Sequence, residues 1–381
     1  MDILHACCAG LDVHKDTVVA CIRRIGPAGQ AEDQVRTFGT MTADLLGLAD
    51  WLAAHGVARV AMESTGVFWK PVFHLLEDRF QLLLVNAQHI KQVPGRKADV
   101  KDCQWIAQLL QHGLLRASFV PPQPVRELRD LTRQRTQMVA ERAAVSNRVQ
   151  KVLEDANIKL ASVASDVLGV SGRAMIAALI GGETEPGRLA DLAKRRMRAR
   201  IPELRRASDG RVTEHHRFML RALMDHVRHL DGMIEQFDRR IEEVLGPLLQ
   251  AVERLVTIPG VSRQAAAVIV AEVGADMTKF PTAGHLSSWA GVCPGNHQSA
   301  GRRQSGRTTK GSRWLRQALV QVAWAASHTK KTFLAETYHR WVKRMGKKRA
   351  LVALGHKILV LVHEMLKAGT TYRDRPALGA A

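Results

Sequence analysis

Acidic residues all but disappear from the last third of this chain. Residues 256–381 hold 5 Asp/Glu against 20 Lys/Arg, and within 302–349 one acid, Glu336, stands among 14 basic residues. So one-sided a run points to a polyanionic partner, nucleic acid foremost. Cysteines are also scarce. The five present (Cys7, Cys8, Cys21, Cys103, Cys293) show no zinc-ligand spacing, and their odd number argues against a disulfide framework. Long apolar runs are missing too: the richest, residues 358–362, is flanked by Lys357 and His363. The first residues lack the basic and apolar segments of a signal peptide. Together these absences predict a reducing, cytoplasmic setting with no membrane and no structural zinc.

Elsewhere the charge is balanced. Residues 1–120 carry 12 Lys/Arg and 12 Asp/Glu, and residues 121–255 carry 24 and 19, within a formal net charge of +20. A length of 381 residues leaves room for two or three domains. Composition changes at Pro121-Pro-Gln-Pro124, and the expected organisation is 1–120, 121–255 and 256–381.

In the first segment, residues 6–13 and 17–22 read as a hairpin around His14-Lys15-Asp16, and residues 34–38 as a third strand. A helix capped by Thr42 runs to Ala54 and ends at Gly56. A buried strand at 57–63, a helix at 67–77, a strand at 81–85 and a last helix carrying Asp99 and Asp102 follow. Three strands, helix, strand, helix, strand, helix is the element order of an α/β ribonuclease-H-like domain, with the first three strands antiparallel and the later ones parallel.

That order gives four acids a common destination. Asp12 ends the first strand, and Glu63 ends the fourth, after the apolar Val60-Ala-Met; α/β sheets keep their ligands at such strand ends. Asp99 and Asp102, three apart, would share one helix face, where two carboxylates repel unless a cation intervenes. The plain reading of Asp-x-x-Asp is a solvated helix face. Four carboxylates from three elements can instead hold divalent ions, and all-oxygen ligands favour Mg²⁺ or Mn²⁺.

The middle reads as helical. A charged helix from about 125 to 158 has apolar residues at Leu128, Leu131, Met138, Val145, Val149 and Val152, and shorter helices follow over 160–212, with turns at Gly181-Gly182 and Pro186-Gly187. Leu220, Leu223, Val227, Leu230, Ile234, Phe237, Ile241, Val244 and Leu248 then alternate threes and fours. This is a coiled-coil seam for scaffold and dimerisation. The last segment opens with Thr257-Ile-Pro-Gly-Val-Ser262, which is like half of a helix-hairpin-helix, a motif whose helix start can hold phosphate. After a helical turn at 285–290 comes an irregular stretch, 294–311, with four glycines, four Lys/Arg and His297. Helices at 313–328, 331–345 and 348–368 complete a mostly α domain, and 372–381 is a frayed tail.

With these residues in view, the chain resembles the DEDD transposases of insertion sequences, of IS110 type. The likeness rests on Gly-Leu-Asp12-Val-His-Lys, Met-Glu63-Ser-Thr-Gly and Gly-Arg-Lys-Ala-Asp99-x-x-Asp102 at one end. At the other it rests on Ile258-Pro-Gly-Val, Ser288-Trp-Ala-Gly-Val-Cys-Pro294, Gln298-Ser-Ala-Gly301 and Lys310-Gly-x-x-Trp-Leu-Arg316. It implies a RuvC-like first domain whose four acids bind Mg²⁺ and a recombinase acting on donor and target DNA. It implies guidance by a structured bridge RNA, and a serine that attacks DNA to form a phosphoserine. Ser299 matches that serine; Ser305, six residues on, is the rival. Arg302, Arg303 and Arg307 could stabilise the phosphoryl transition state, with Lys310, Arg313 and Arg316 as further nucleic-acid contacts. No Ser-His-Asp set is visible, so the serine would rely on the acids of the first domain, in a site shared between two protomers of a dimer or tetramer or closed within one chain.

Two other readings compete. A metal-dependent endonuclease of the Holliday-junction class would use the same acids without a covalent intermediate. A non-catalytic nucleic-acid-binding protein would keep only the fold, which the four acids argue against. A tyrosine nucleophile is disfavoured, since the chain has only Tyr338 and Tyr372.

Overall fold

A computed structural model describes residues 2–374 except 28, 65, 87–89, 91–100, 294–296, 300, 301, 306, 307, 309 and 310; of 297–299 and 302–305 it describes the backbone alone. The chain divides into two compact units, Met1–Val120 and Pro121–Ala381.

The first unit is built on a five-stranded sheet of β1 (Cys7–Val13), β2 (Thr17–Ile25), β3 (Ala31–Gly39), β4 (Arg59–Glu63) and β5 (Gln81–Val85), in the order β3-β2-β1-β4-β5. β1, β2 and β3 pair antiparallel, whereas β1–β4 and β4–β5 are parallel. The strand directions are those expected from the sequence, and the sheet is compatible with a ribonuclease-H-like domain. β1 is apolar on both faces because helices cover both. β3 is the polar edge, tied to β2 by ion pairs directly across the register, Arg23 to Asp33 at 2.8 Å and Arg24 to Glu32 at 3.0 Å.

Strand alternation sorts the side chains between the two faces. Ala9, Leu11, Val60 and Met62 point to the face covered by α1 (Thr42–Ala54) and α2 (Trp69–Leu76), packing with Leu45, Leu48, Leu52, Phe73 and Leu76. Cys8, Ala61 and Val85 point to the other face, under Trp105, Ile106, Leu109 and Leu110 of α3 (Asp102–Gln111). Helix α1 begins at Thr42, as expected, but its cap is Met41, with no side-chain hydrogen bond. Gly56, at φ 69°, closes its C-terminal turn by donating to the Ala53 carbonyl.

The second unit begins with α4 (Gln123–Asp155), a small turn of helix α5 (Leu160–Val163), then α6 (Val170–Ile180), α7 (Pro186–Asp191), α8 (Ile201–Ala207) and α9 (Glu214–Val244). Val145, Val149 and Leu153 of α4 pack with Leu220, Leu223, Val227 and Leu230 of α9 in one core with α6–α8. The seam of α9 is shorter than its sequence pattern. Ile234, Phe237 and Val244 are only half-buried, and the helix ends at Val244, leaving Leu248 in a 3₁₀ turn. There ion pairs join the two helices in place of apolar packing, with Arg135 donating to Asp238 at 2.5 and 3.0 Å. In α4 the buried positions are Thr132 and Leu153, not Leu131 and Val152 beside them. Pro186-Gly187 is no turn: it starts α7, where the Glu185 carboxylate accepts from the Gly187 and Arg188 amides.

The remaining helices are α10 (Leu249–Val256), α11 (Arg263–Val273), α12 (Ala283–Trp289), α13 (Arg313–His328), α14 (Phe333–Met345) and α15 (Lys347–Ala368). Between α12 and α13 the stretch expected to be irregular forms a two-stranded antiparallel ribbon, β6 (His297–Ser299) and β7 (Arg302–Ser305). The tail is not frayed from residue 372. The Tyr372 amide donates to Thr257 Oγ1 at 2.8 Å and its hydroxyl to Asp374 at 2.7 Å. No helix among the described residues is long and apolar enough to cross a membrane.

Candidate functional site

Asp12 and Glu63 stand side by side at the ends of two parallel strands. The β1–β4 register pairs Leu11 with Met62, so the next residues, Asp12 and Glu63, are neighbours across the ladder. By alternation both face α3: Asp12 shares its side of β1 with Cys8 and Gly10, and Glu63 shares its side of β4 with Ala61. Both are half-buried. Asp102 is the first residue of α3, the helix that covers this face. A carboxylate in a helix's first turn also faces its exposed amides and positive dipole end.

Lys101 is extended (φ −60°, ψ 148°), so the helix that carries Asp102 begins at that residue. Asp99 lies outside the described residues, as do Arg307 and Lys310. Among the described residues, no group of three or more His, Cys, Asp or Glu side chains is gathered closely enough to hold a metal. Asp12, Glu63 and Asp102 offer carboxylate oxygens, the donor type that suits a hard divalent cation.

Gly10 is what lets α3 lie against β1. A Cβ there would stand 2.2 Å from the Cys103 carbonyl oxygen and 2.4 Å from the Ala107 nitrogen, both backbone atoms. The small residues Cys21, Cys103 and Ala107 complete this close contact, and the Cys8 thiol lies 3.5 Å from the Ala107 carbonyl. Burial, and after it the nearby Asp12 carboxylate, push the Cys103 thiol up to about 11. His14, which the sequence presents only as a turn residue, donates from Nε2 to the Asp12 carboxylate at 3.1 Å. His14 is 57% exposed and Asp12 19%, so the contact sits at the mouth of the site.

In the second unit, Ser299 is the last residue of β6 and pairs with Arg302, the first of β7; Ser305 pairs with His297 at the far end. Ser299 and Ser305 therefore stand at opposite ends of the ribbon. Arg303 pairs with Gln298. The other predicted contacts stand on α13: Arg313 lies 4.5 Å over the Trp314 ring, and Arg316 donates to Thr308 Oγ1 at 3.2 Å. Arg316 is thus engaged with the segment that follows the ribbon.

Glu272, which gave no signal in the sequence beyond an acid at the end of an apolar helix, anchors that segment. It is 1% exposed and accepts from Arg133 Nε at 2.7 Å, Arg133 Nη2 at 2.9 Å and Ser312 Oγ at 2.8 Å. Arg129 adds bonds to the Ala271 and Glu272 carbonyls at 2.9 and 2.7 Å. Ser312 Oγ also accepts from the Leu315 amide and so caps α13. One carboxylate thereby joins α4, α11 and the start of α13. Just before it Gly311 lies against Ala290, where a Cβ would approach the backbone to 2.3 Å. Glu272→Ala leaves the partly exposed Arg133 guanidinium and the Ser312 hydroxyl without their acceptor and is expected to cost about 1–3 kcal/mol in urea unfolding. The double variant with Arg133→Ala should lose much less than the sum, and simple additivity would refute the pairing.

The Pro259-Gly260 turn is likewise a packing device. Gly260 has φ 85°, and a Cβ on it would reach 2.3 Å from the Ala326 nitrogen of α13. Ser262 caps α11, its hydroxyl accepting from Ala265, so that amide is not open to a phosphate.

Comparison with known proteins brings both ends together. Residues 9–158 match the family model DEDD_Tnp_IS110, described as "Transposase", and residues 252–339 match "Transposase IS116/IS110/IS902 family". The chain is 28% identical over 161 residues to the pilin gene-inverting protein of Moraxella bovis, covering 40% of this chain and 48% of that protein. It is 33% identical over 148 residues to the insertion element IS110 uncharacterized 43.6 kDa protein of Streptomyces coelicolor, covering 37% and 36%. The matched stretches thus span about half or less of these relatives.

Proposed function

On the premise that both ends of the chain are those of an IS110-family transposase, we propose that it is a recombinase that cuts and rejoins DNA through a serine ester. The observation that carries this reading is the placement of Asp12 and Glu63 as neighbours on one sheet face, under the helix headed by Asp102. Strand ends that gather carboxylates at a helix start suit divalent-ion phosphoryl transfer. Asp12, Glu63, Asp99 and Asp102 would hold Mg²⁺ or Mn²⁺, which supplies Lewis-acid charge to the scissile phosphate. The Ser299 oxygen attacks phosphorus, its proton leaves to solvent or a carboxylate, and the P–O bond to one strand breaks. A strand hydroxyl then attacks the phosphoserine, reforms the diester and returns the serine. Arg302, Arg303 and Arg307 offset charge on the phosphoryl oxygens.

A relative named for inverting a gene supports rejoining over simple cutting, because inversion reconnects the ends. We propose as partners donor and target DNA, a structured guide RNA and further copies of the chain in a dimer or tetramer. The direct test is incubation of the full chain with DNA and Mg²⁺, followed by denaturing electrophoresis and peptide mapping. A protein–DNA adduct on Ser299 is expected; cleavage with no adduct would leave the endonuclease reading.

Charge adds a second test. Residues 1–120 are neutral, so the whole excess of +20 belongs to Pro121–Ala381. That unit should bind nucleic acid with a steep salt dependence, since each neutralised phosphate releases counterions. With about six phosphate contacts, affinity falls roughly a thousandfold between about 50 and 200 mM salt. The first unit alone should bind far more weakly, and equal affinity of the two would relocate the backbone grip.

A further inference from the structure

On the outer side of the C-terminal helices lies a groove of about 370 Å³, between α13, α14 and the start of α15. Trp324, His328, Tyr338, His339, Val342 and Lys347 are among its walls. Trp324 is 59% exposed, a large apolar ring left open to water. Its own helix holds it in place. The His328 ring lies 4.5 Å from it at 41°, and His328 Nδ1 donates to the Trp324 carbonyl at 2.8 Å. The Ser327 hydroxyl bonds the same carbonyl at 2.7 Å. The proton on Nδ1 leaves Nε2 as the ring's remaining hydrogen-bonding atom. The result is a firm aromatic surface with an apolar floor and a cationic rim.

Charge selects the occupant. Glu336 is the one acid in 302–349, and Lys347 at the groove continues into Lys348 and Arg349, all exposed. An acidic chain with flat apolar groups along it matches an aromatic ring set in such a field. A DNA duplex matches only the charge, because its base faces are covered by their neighbours. Unpaired DNA presents both phosphate and free base faces.

We propose that this groove binds single-stranded DNA by stacking an unpaired base on Trp324, with the adjacent phosphate held by Lys347. The inference rests on the recombinase reading, in which strand cutting and exchange expose unpaired DNA. It adds to that reading a site on α13–α15, distinct from the ribbon that carries Ser299 and far in sequence from the four acids.

The test uses the full chain and three probes of equal length: oligothymidylate, a mixed-sequence duplex and oligouridylate. Trp324→Ala should weaken oligothymidylate binding about tenfold or more, the effect of losing one base–aromatic stack. Duplex affinity and its salt dependence should stay unchanged, and Trp324→Phe should recover much of the loss. A strand carrying 5-iododeoxyuridine should photocrosslink to Trp324. The ring is largely exposed, so its removal should leave the melting temperature unaltered.

Several results would overturn the proposal. Unchanged oligothymidylate binding would do so, as would an equal loss on the duplex. Trp324-dependent preference for oligouridylate would move the occupant to RNA. A fall in oligomeric state on sedimentation of Trp324→Ala would show that a second copy of the chain covers the ring. Failure of the wild-type chain to bind any of the three probes would instead refute the recombinase reading itself, together with this one.

Discussion

Asp12→Asn, Glu63→Gln, Asp99→Asn and Asp102→Asn are each expected to lower Mg²⁺-dependent strand cleavage by about 10²–10³-fold or more, while nucleic-acid binding should persist. The physical ground is sharpest for Asp12 and Glu63, adjacent across β1–β4 on the face that α3 covers. Neighbouring carboxylates raise each other's energy, so removing one charge should leave the metal-free protein as stable as before or more so. Mg²⁺ supplies a separate readout. Binding to the folded state alone raises the melting temperature of the wild-type chain, and this increment should vanish in each variant. Asparagine at position 12 keeps an oxygen that can accept from His14, so loss of that contact would not explain the result. A variant that cleaves normally and still gains stability from Mg²⁺ removes its residue from the site.

Ser299→Ala is expected to abolish both recombination and any denaturant-stable adduct while leaving nucleic-acid binding intact. Cleavage through an ester has no alternative nucleophile once the hydroxyl is gone, so the expected loss is complete. The backbone register makes Ser305→Ala a stringent control. Ser299 pairs with Arg302 at one end of the ribbon, and Ser305 pairs with His297 at the other. Ser305→Ala should therefore cleave at the wild-type rate. Ser299→Cys tests the same point differently: a thiolate can replace the alkoxide and should give a trace of adduct. Adduct retained in Ser299→Ala and lost in Ser305→Ala would shift the nucleophile six residues along. Adduct absent from the wild-type chain, with metal-dependent cleavage intact, would favour the endonuclease.

Much of the first unit could be read from residue order. β5 matches its sequence limits, and the two strands of the first hairpin and α1 lie where alternation and breakers put them. These are local properties. A period of two or 3.6, a glycine stop and a run of β-branched residues act over a few neighbours and survive any later packing. The long helices α4, α9 and α13 were legible for the same reason. Local pattern misled where a helix starts or where packing stops. The sequence carries the helix of Asp102 on from an upstream start, yet Lys101 is extended and α3 begins at Asp102, and the seam of α9 keeps its period beyond Leu230 while burial weakens.

What the sequence by itself determined is the long helices, the strands of the first unit and the neutral-then-basic distribution of charge, but not the β6–β7 ribbon. Tertiary structure alone decided which side of each element meets which partner. Gly10 looks like any strand glycine until Cys103 and Ala107, more than ninety residues away, bring their backbone against it. That contact sets α3, and so Asp102, on the face shared by Asp12 and Glu63. Glu272 is one acid in an apolar helix until Arg133 and Ser312 close on it from distant segments. Periodicity assigns a residue to a face; close approach and buried charge pairing depend on groups far along the chain, and only the packed fold brings them within reach.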